Sequence, residues 1–177
     1  MPKYLYKMLF PLLMLSALFA PAAHAEAKVV VMAFELNDMT NLANAPEELQ
    51  RIALLSKQFE SSLKRLGVNV VPAGAQVATE IEKHSPSYLY DNVGTAVELN
   101  RETGADYLVI GVALKPTYLF VYPRLIIVDV KTKSVVMSKA AQLESSWSDE
   151  NTTIRTADKL AQVVKDRLQA LQAGANK

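Results

Sequence analysis

Short, unbroken apolar runs alternate along this chain with longer stretches of helical period, and that alternation predicts strands interleaved with helices. KVVVMAF (residues 28–34) is almost wholly apolar and valine-rich, the pattern of a strand buried on both faces. The polar stretch ELNDMTNLANAPEE (residues 35–48) reads as a loop. Within it, Pro46, Glu47 and Glu48 suit the first turn of a helix, with Asn44 as its N-cap. Ile52, Leu55, Phe59, Leu63 and Leu66 then recur at spacings of three and four until Gly67 ends the stripe. VNVV (residues 68–71) is a second short strand, completing a strand–helix–strand unit.

A weaker helix follows over residues 73–84, then a loop over 85–92 and a better helix over 93–102, closed by Gly104. ADYLVIGVAL (residues 105–114) is a third buried strand, and residues 118–130 form a fourth with a bulge expected at Pro123, which has no N–H for a ladder. Lys131, Thr132 and Lys133 occupy a hairpin turn, and the fifth strand begins near Ser134. After the polar ESSWSDENTT (residues 144–153), Ile154, Ala157, Ala161, Val164 and Leu168 mark a C-terminal amphipathic helix with a fraying tail. The expected fold is α/β in the α+β sense: a mixed five-stranded sheet, parallel in its N-terminal half and antiparallel in its C-terminal half, packed by about four helices.

The N-terminus adds a compartment. Lys3 and Lys7 precede an apolar run of about 13 residues, short of the roughly 20 that span a bilayer, and Ala23-His24-Ala25 follows as a small-residue cleavage site. These features predict a Sec-type signal peptide over residues 1–25, cut after Ala25, and a periplasmic mature chain. A single domain is expected over residues 26–171, with a flexible tail at 172–177. The absence of cysteine excludes a disulfide, a thiolate metal site and a thiol nucleophile. Without Lys3 and Lys7 the 19 basic residues become 17 against 18 acidic ones, so the mature chain lacks the basic excess that nucleic acid or an anionic membrane surface requires. Neither a nucleic-acid partner nor stable membrane insertion is expected.

Little of the chain offers chemistry. His24 leaves with the signal peptide, His84 stands alone, and there is no nucleophile elbow, phosphate loop or dinucleotide fingerprint, so no catalysis and no resident metal or cofactor are predicted. Glu35, Asn37 and Asp38 follow the first strand, where α/β sheets place ligand sites; they suit a small polar ligand or a hard cation, or else a solvated loop ahead of the next helix. Tyr118, Phe120 and Tyr122 alternate on one strand face beside Arg124, either as sheet packing or as a surface for a partner. Trp147, in the polar SSWSDEN, is either a partner anchor or a lid over the last helix. An exposed aromatic face would favour a docking site or a homodimer.

The segments VVVMAFELND, RIALLSKQFESSLKRLGVNVV, GADYLVIGVALK and IIVDVKT, with the final amphipathic helix, together resemble a family of secreted bacterial proteins of unknown function, domain of unknown function 2380. The architecture looks like the amino-terminal domain of TolB. The most specific parts are Phe34-Glu35-Leu36 and the GAD of residues 104–106. The resemblance implies a non-catalytic periplasmic accessory or adaptor protein that binds an envelope or periplasmic protein; a small-ligand or metal-ion binder, accessory to a quinoprotein dehydrogenase system, is the alternative it leaves. Relatives often carry a cysteine pair before the GAD strand, where this chain has DNVGTAVELN, so no redox or metal role tied to those cysteines carries over. Trp147 precedes Asp149 and Glu150 here, instead of following an acidic residue and serine as in those relatives.

Overall fold

Valine-rich β1 (Lys28–Val31) lies inside the sheet, hydrogen-bonded in parallel to β3 (Asn69–Val71) on one side and to β4 (Tyr107–Lys115) on the other. The computed structural model describes residues 26–41, 45–141 and 149–174. The elements run β1, β2 (Glu35–Asp38), α1 (Pro46–Arg65), β3, α2 (Val77–Glu82), α3 (Tyr88–Asp91), α4 (Val93–Leu99), a 3-10 turn at Arg101–Thr103, β4, β5 (Tyr122–Asp129), β6 (Ser134–Ala140) and α5 (Glu150–Gly174). Strand order is β3-β1-β4-β5-β6, with β5 and β6 antiparallel, so the expected mixed sheet with a parallel first half and an antiparallel second half is present.

The sheet has six strands instead of five, because part of the expected loop is β2, which pairs in parallel with β4. Strands β1 and β2 lie along the same side of β4 and are separated by a bulge. Residues 32–34 oppose only residues 110 and 111, since Val31 pairs with Val109 and Glu35 with Val112. Gly111 faces the ring of Phe34 at this point, and a Cβ there would lie 2.5 Å from the ring. The Phe34 N–H leaves the ladder and donates to Ser56 Oγ on α1 at 2.9 Å.

Helices cover both faces. On one, α1 and α5 bury Leu55, Phe59, Leu160 and Val164 against Val109 and Ile127. On the other, the short helices α2 to α4 bring Val77, Leu89 and Val97 onto Val30, Leu108 and Ile126. Helix α1 ends as its sequence predicts: Gly67 takes φ +83°, its N–H bonds the Lys64 carbonyl, and the Val68 N–H bonds that of Leu63. Asp158 of α5 ties the two long helices together by accepting from Ser62, from Gln58 at 2.9 Å and from Arg65 at 3.1 Å.

Several expectations move. Residues 88–91, read as loop, form α3. Helix α5 starts at Glu150, four residues before Ile154, because Asp149 accepts from the Asn151 N–H and the Thr152 hydroxyl as an N-cap. It runs to Gly174, into the stretch expected to fray. No bulge forms at Pro123, which pairs with Ala113; its carbonyl accepts from the Ala141 N–H, so its missing donor falls at the end of the β5–β6 ladder. The bulge lies instead at Val136 of β6, whose carbonyl accepts from Arg167 at 2.8 Å. The signal peptide, Asn44 and Trp147 lie outside the described residues.

Candidate functional site

The sequence candidates meet at one end of the sheet, where β2 and β4 finish and the chain turns toward β5. Register fixes which side each takes: Glu35 lies opposite Val112, Asn37 opposite Leu114 and Asp38 opposite Lys115. Successive strand residues point to opposite faces. Asp38 and Lys115 therefore face α1, while Glu35 and Asn37 face α3. The three polar residues expected to act as one ligand set are divided by the sheet, so they do not hold one ion together.

On the α1 side, Lys115 Nζ lies 2.9 Å from Asp38 Oδ2 and 3.3 Å from Glu48 Oε1 in the first turn of α1. The Lys115 and Asp38 side chains are only 4% and 2% exposed, which makes this a buried ion cluster. Burial works against the Asp38 carboxylate, but hydrogen bonds from Thr40 and Lys115 outweigh it and hold the pKa below the usual range. Burial likewise works against the Lys115 ammonium, and Asp38 and Glu48 more than offset it, so that pKa is raised. The Tyr118 ring centre lies 6.0 Å from the same ammonium.

On the α3 side, Glu35 Oε2 accepts from the Ser87 N–H at 3.3 Å, and Asn37 Nδ2 donates to Ser87 Oγ at 3.1 Å. Ser87 is buried and takes φ 77°, a left-handed conformation set by the turn into α3. Burial raises the Glu35 pKa; the Ser87 N–H opposes this and Asp91 reinforces it. A carboxyl whose pKa rises on folding costs stability once ionised and nothing when protonated in both states. Glu35→Gln should therefore raise the melting temperature at about pH 7, and the gain should vanish by about pH 3. Thermal unfolding of both proteins at the two pH values checks the sign; an equal gain at both would place its origin outside ionisation.

Strand β5 extends this surface. Arg124 pairs with Val112 and Tyr122 with Leu114, giving the cross-strand rows Glu35–Val112–Arg124 and Asn37–Leu114–Tyr122. The Phe120 and Tyr122 rings stack at 6.3 Å, and the Arg124 guanidinium lies 5.5 Å from the Tyr90 ring centre. The aromatic row does not occupy one strand face as the alternation predicted. Tyr118 and Phe120 stand in the β4–β5 loop, 59% and 50% exposed, with Leu119 between them at 77%, while Val121 is buried. The strand starts only at Tyr122.

Sequence reasoning missed Lys115, Glu48, Ser87 and Tyr90, and also Met39 and Leu49, whose apolar side chains are exposed at this same end. One signal was available: Lys115 closes a nine-residue strand that is otherwise apolar apart from its first tyrosine, an unusual place for a cation unless it has a buried partner. His84 stacks on Tyr88 at 3.6 Å and contacts Glu80 at 3.0 Å. Among the described residues, no group of three or more histidine and acidic side chains could hold a metal ion.

A family model described as a protein of unknown function, DUF2380, matches residues 27–163. The chain belongs to that family. No curated protein matches the DUF2380 chain in sequence. Among solved structures, it is similar to a PelC dodecamer variant from Paraburkholderia phytofirmans at 19% identity, covering 85% of this chain and 93% of that one with a TM-score of 0.46. The LpoB C-terminal domain from Escherichia coli is similar at 17% identity, 75% and 93% coverage and a TM-score of 0.41. TolB from Acinetobacter baumannii is similar at 12% identity and a TM-score of 0.47, over 82% of this chain and 29% of TolB.

Proposed function

We propose that this DUF2380 protein is a non-catalytic periplasmic accessory or adaptor protein that binds an envelope or periplasmic protein partner through the loop end of its sheet. One observation carries the reading. Of the six large hydrophobic residues exposed among the described residues, five gather at this end: Met39, Leu49, Tyr118, Leu119 and Phe120. The Met39 N–H bonds the Lys115 carbonyl, Leu49 follows Glu48 of the ion cluster, and the other three form the loop that Lys115 begins. Soluble monomers rarely gather exposed apolar side chains in one place unless something covers them. The buried ion cluster beneath gives the loop a fixed base, so its side chains are presented without a large ordering cost. The N-terminal sequence, with its predicted cleavage after Ala25, supplies the periplasmic setting.

Photocrosslinking tests this in the cells that produce the protein. A photoreactive residue at Leu119 of the full chain should capture one recurrent protein, and one at Lys131, in the β5–β6 turn, should not. Capture should fall about tenfold in a Leu119→Ser/Phe120→Ser variant, the loss expected from removing two apolar anchors. Because both side chains are at least half exposed, the variant should fold. Equal capture from both positions, or none from Leu119, would dispose of the docking surface.

A further inference from the structure

Arg124 is the one cation that β2, β4, β5 and the loop between β4 and β5 place on the α3 side of this end. It is exposed and rests near the Tyr90 ring, and among the described residues no carboxylate lies within ion-pair distance of it. Other cations differ: Lys115 and Arg51 bond carboxylates at this end, and the exposed Lys64, Arg65, Lys83, Arg101, Lys133 and Arg155 each have an acidic neighbour within 4.0 Å. Glu35, in the same cross-strand row, lies two strands away and accepts from Ser87.

We propose that the docking segment of the protein partner is apolar and carries a carboxylate that seats on Arg124, with a neighbouring apolar side chain against the Phe120–Tyr122 ring pair. This rests on the reading of the sheet end as a docking surface and names the chemistry that surface selects. A guanidinium offers paired N–H donors that match a carboxylate, and a contact shielded by aromatic neighbours is worth more than one in open water. A single free arginine also argues against other anions. A nucleic-acid backbone or an anionic membrane is bound by several cations acting together, whereas one carboxylate beside apolar side chains is matched by one arginine beside Phe120 and Tyr122.

The test uses the full chain, in the cells that produce it, with a photoreactive residue at Leu119. Arg124→Glu should lower capture of the protein partner about tenfold or more by placing two carboxylates together, and Arg124→Lys should lower it less. In the Arg124→Lys chain, a zero-length carbodiimide should join the introduced amine to an aspartate or glutamate of that same partner, mapped by mass spectrometry next to an apolar residue. Phe120→Ser should reduce that product. A partner captured at Leu119 with no carbodiimide product at position 124, and unaffected by Arg124→Glu, would overturn the acidic segment while leaving the docking surface standing. Lipid captured at Leu119 in place of protein would overturn it in favour of a membrane surface. No capture at all would remove the docking surface and this inference with it.

Discussion

Lys115→Met is expected to lower folding stability by about 3–5 kcal/mol, the cost of leaving a buried charge without its partner. The methionine matches the lysine stem in length, so the loss should come from the charges left behind. Asp38 is 2% exposed and Glu48 13%, and without the ammonium the two carboxylates share a site that water scarcely reaches. In the wild type the Asp38 pKa is depressed, so its contribution is complete above the unfolded value near 3.9 and is lost as pH falls through the folded one. The Lys115 pKa is raised, so its contribution is complete below about 10.4 and is lost as pH rises through the folded value. Removing the lysine leaves burial to push the carboxyls up, which means the deficit should shrink as pH drops toward about 4 and they protonate. Urea unfolding of both proteins at about pH 7 and about pH 4 measures this. A loss below about 1 kcal/mol at neutral pH would mean that water solvates the cluster and that the loop lacks the rigid base ascribed to it.

The same cluster shows why the candidate site was only half legible in the sequence. Helices α1 and α5 and strands β1 and β4 follow from local pattern, because an apolar stripe or an apolar run is enough to define them. Strand β2 has the sequence ELND and no such pattern. It is a strand because β4 continues past Val109 with free ladder positions, and because Glu35 and Asn37 find Ser87 while Asp38 finds Lys115. Those partners are 50 to 77 residues away, beyond the reach of periodicity. Tyr118, Phe120 and Tyr122 mislead in the opposite sense: their alternation is that of a strand, yet only Tyr122 is in one. The antiparallel return of β5 along β4 sets where pairing begins, with Tyr122 opposite Leu114. Helix α5 begins with buried Thr152, Thr153 and Thr156, which a search for apolar residues passes over.

Phe34→Ala should cost about 3–5 kcal/mol, and Gly111→Ala about 1–3 kcal/mol, with the double variant less destabilised than the sum of the two. The reason lies in the bulge between β1 and β2. Its extra residue turns the Phe34 ring over β4 into the core, edge-on to Phe59 at 5.4 Å, and only a residue without a side chain at position 111 leaves room for it. Adding a Cβ at Gly111 would place it 2.5 Å from the ring, so the ring must move within a core where Phe59 and Leu55 are fully buried. Once Phe34 is reduced to alanine that clash disappears, and the added methyl fills part of the cavity the ring leaves. Denaturant midpoints for the four proteins at unchanged m-value give the coupling directly. Additive losses would mean that the backbone at the bulge yields to the added atom. In that case the offset that carries β2 onward to align Asp38 with Lys115 would not depend on the pairing of ring and glycine.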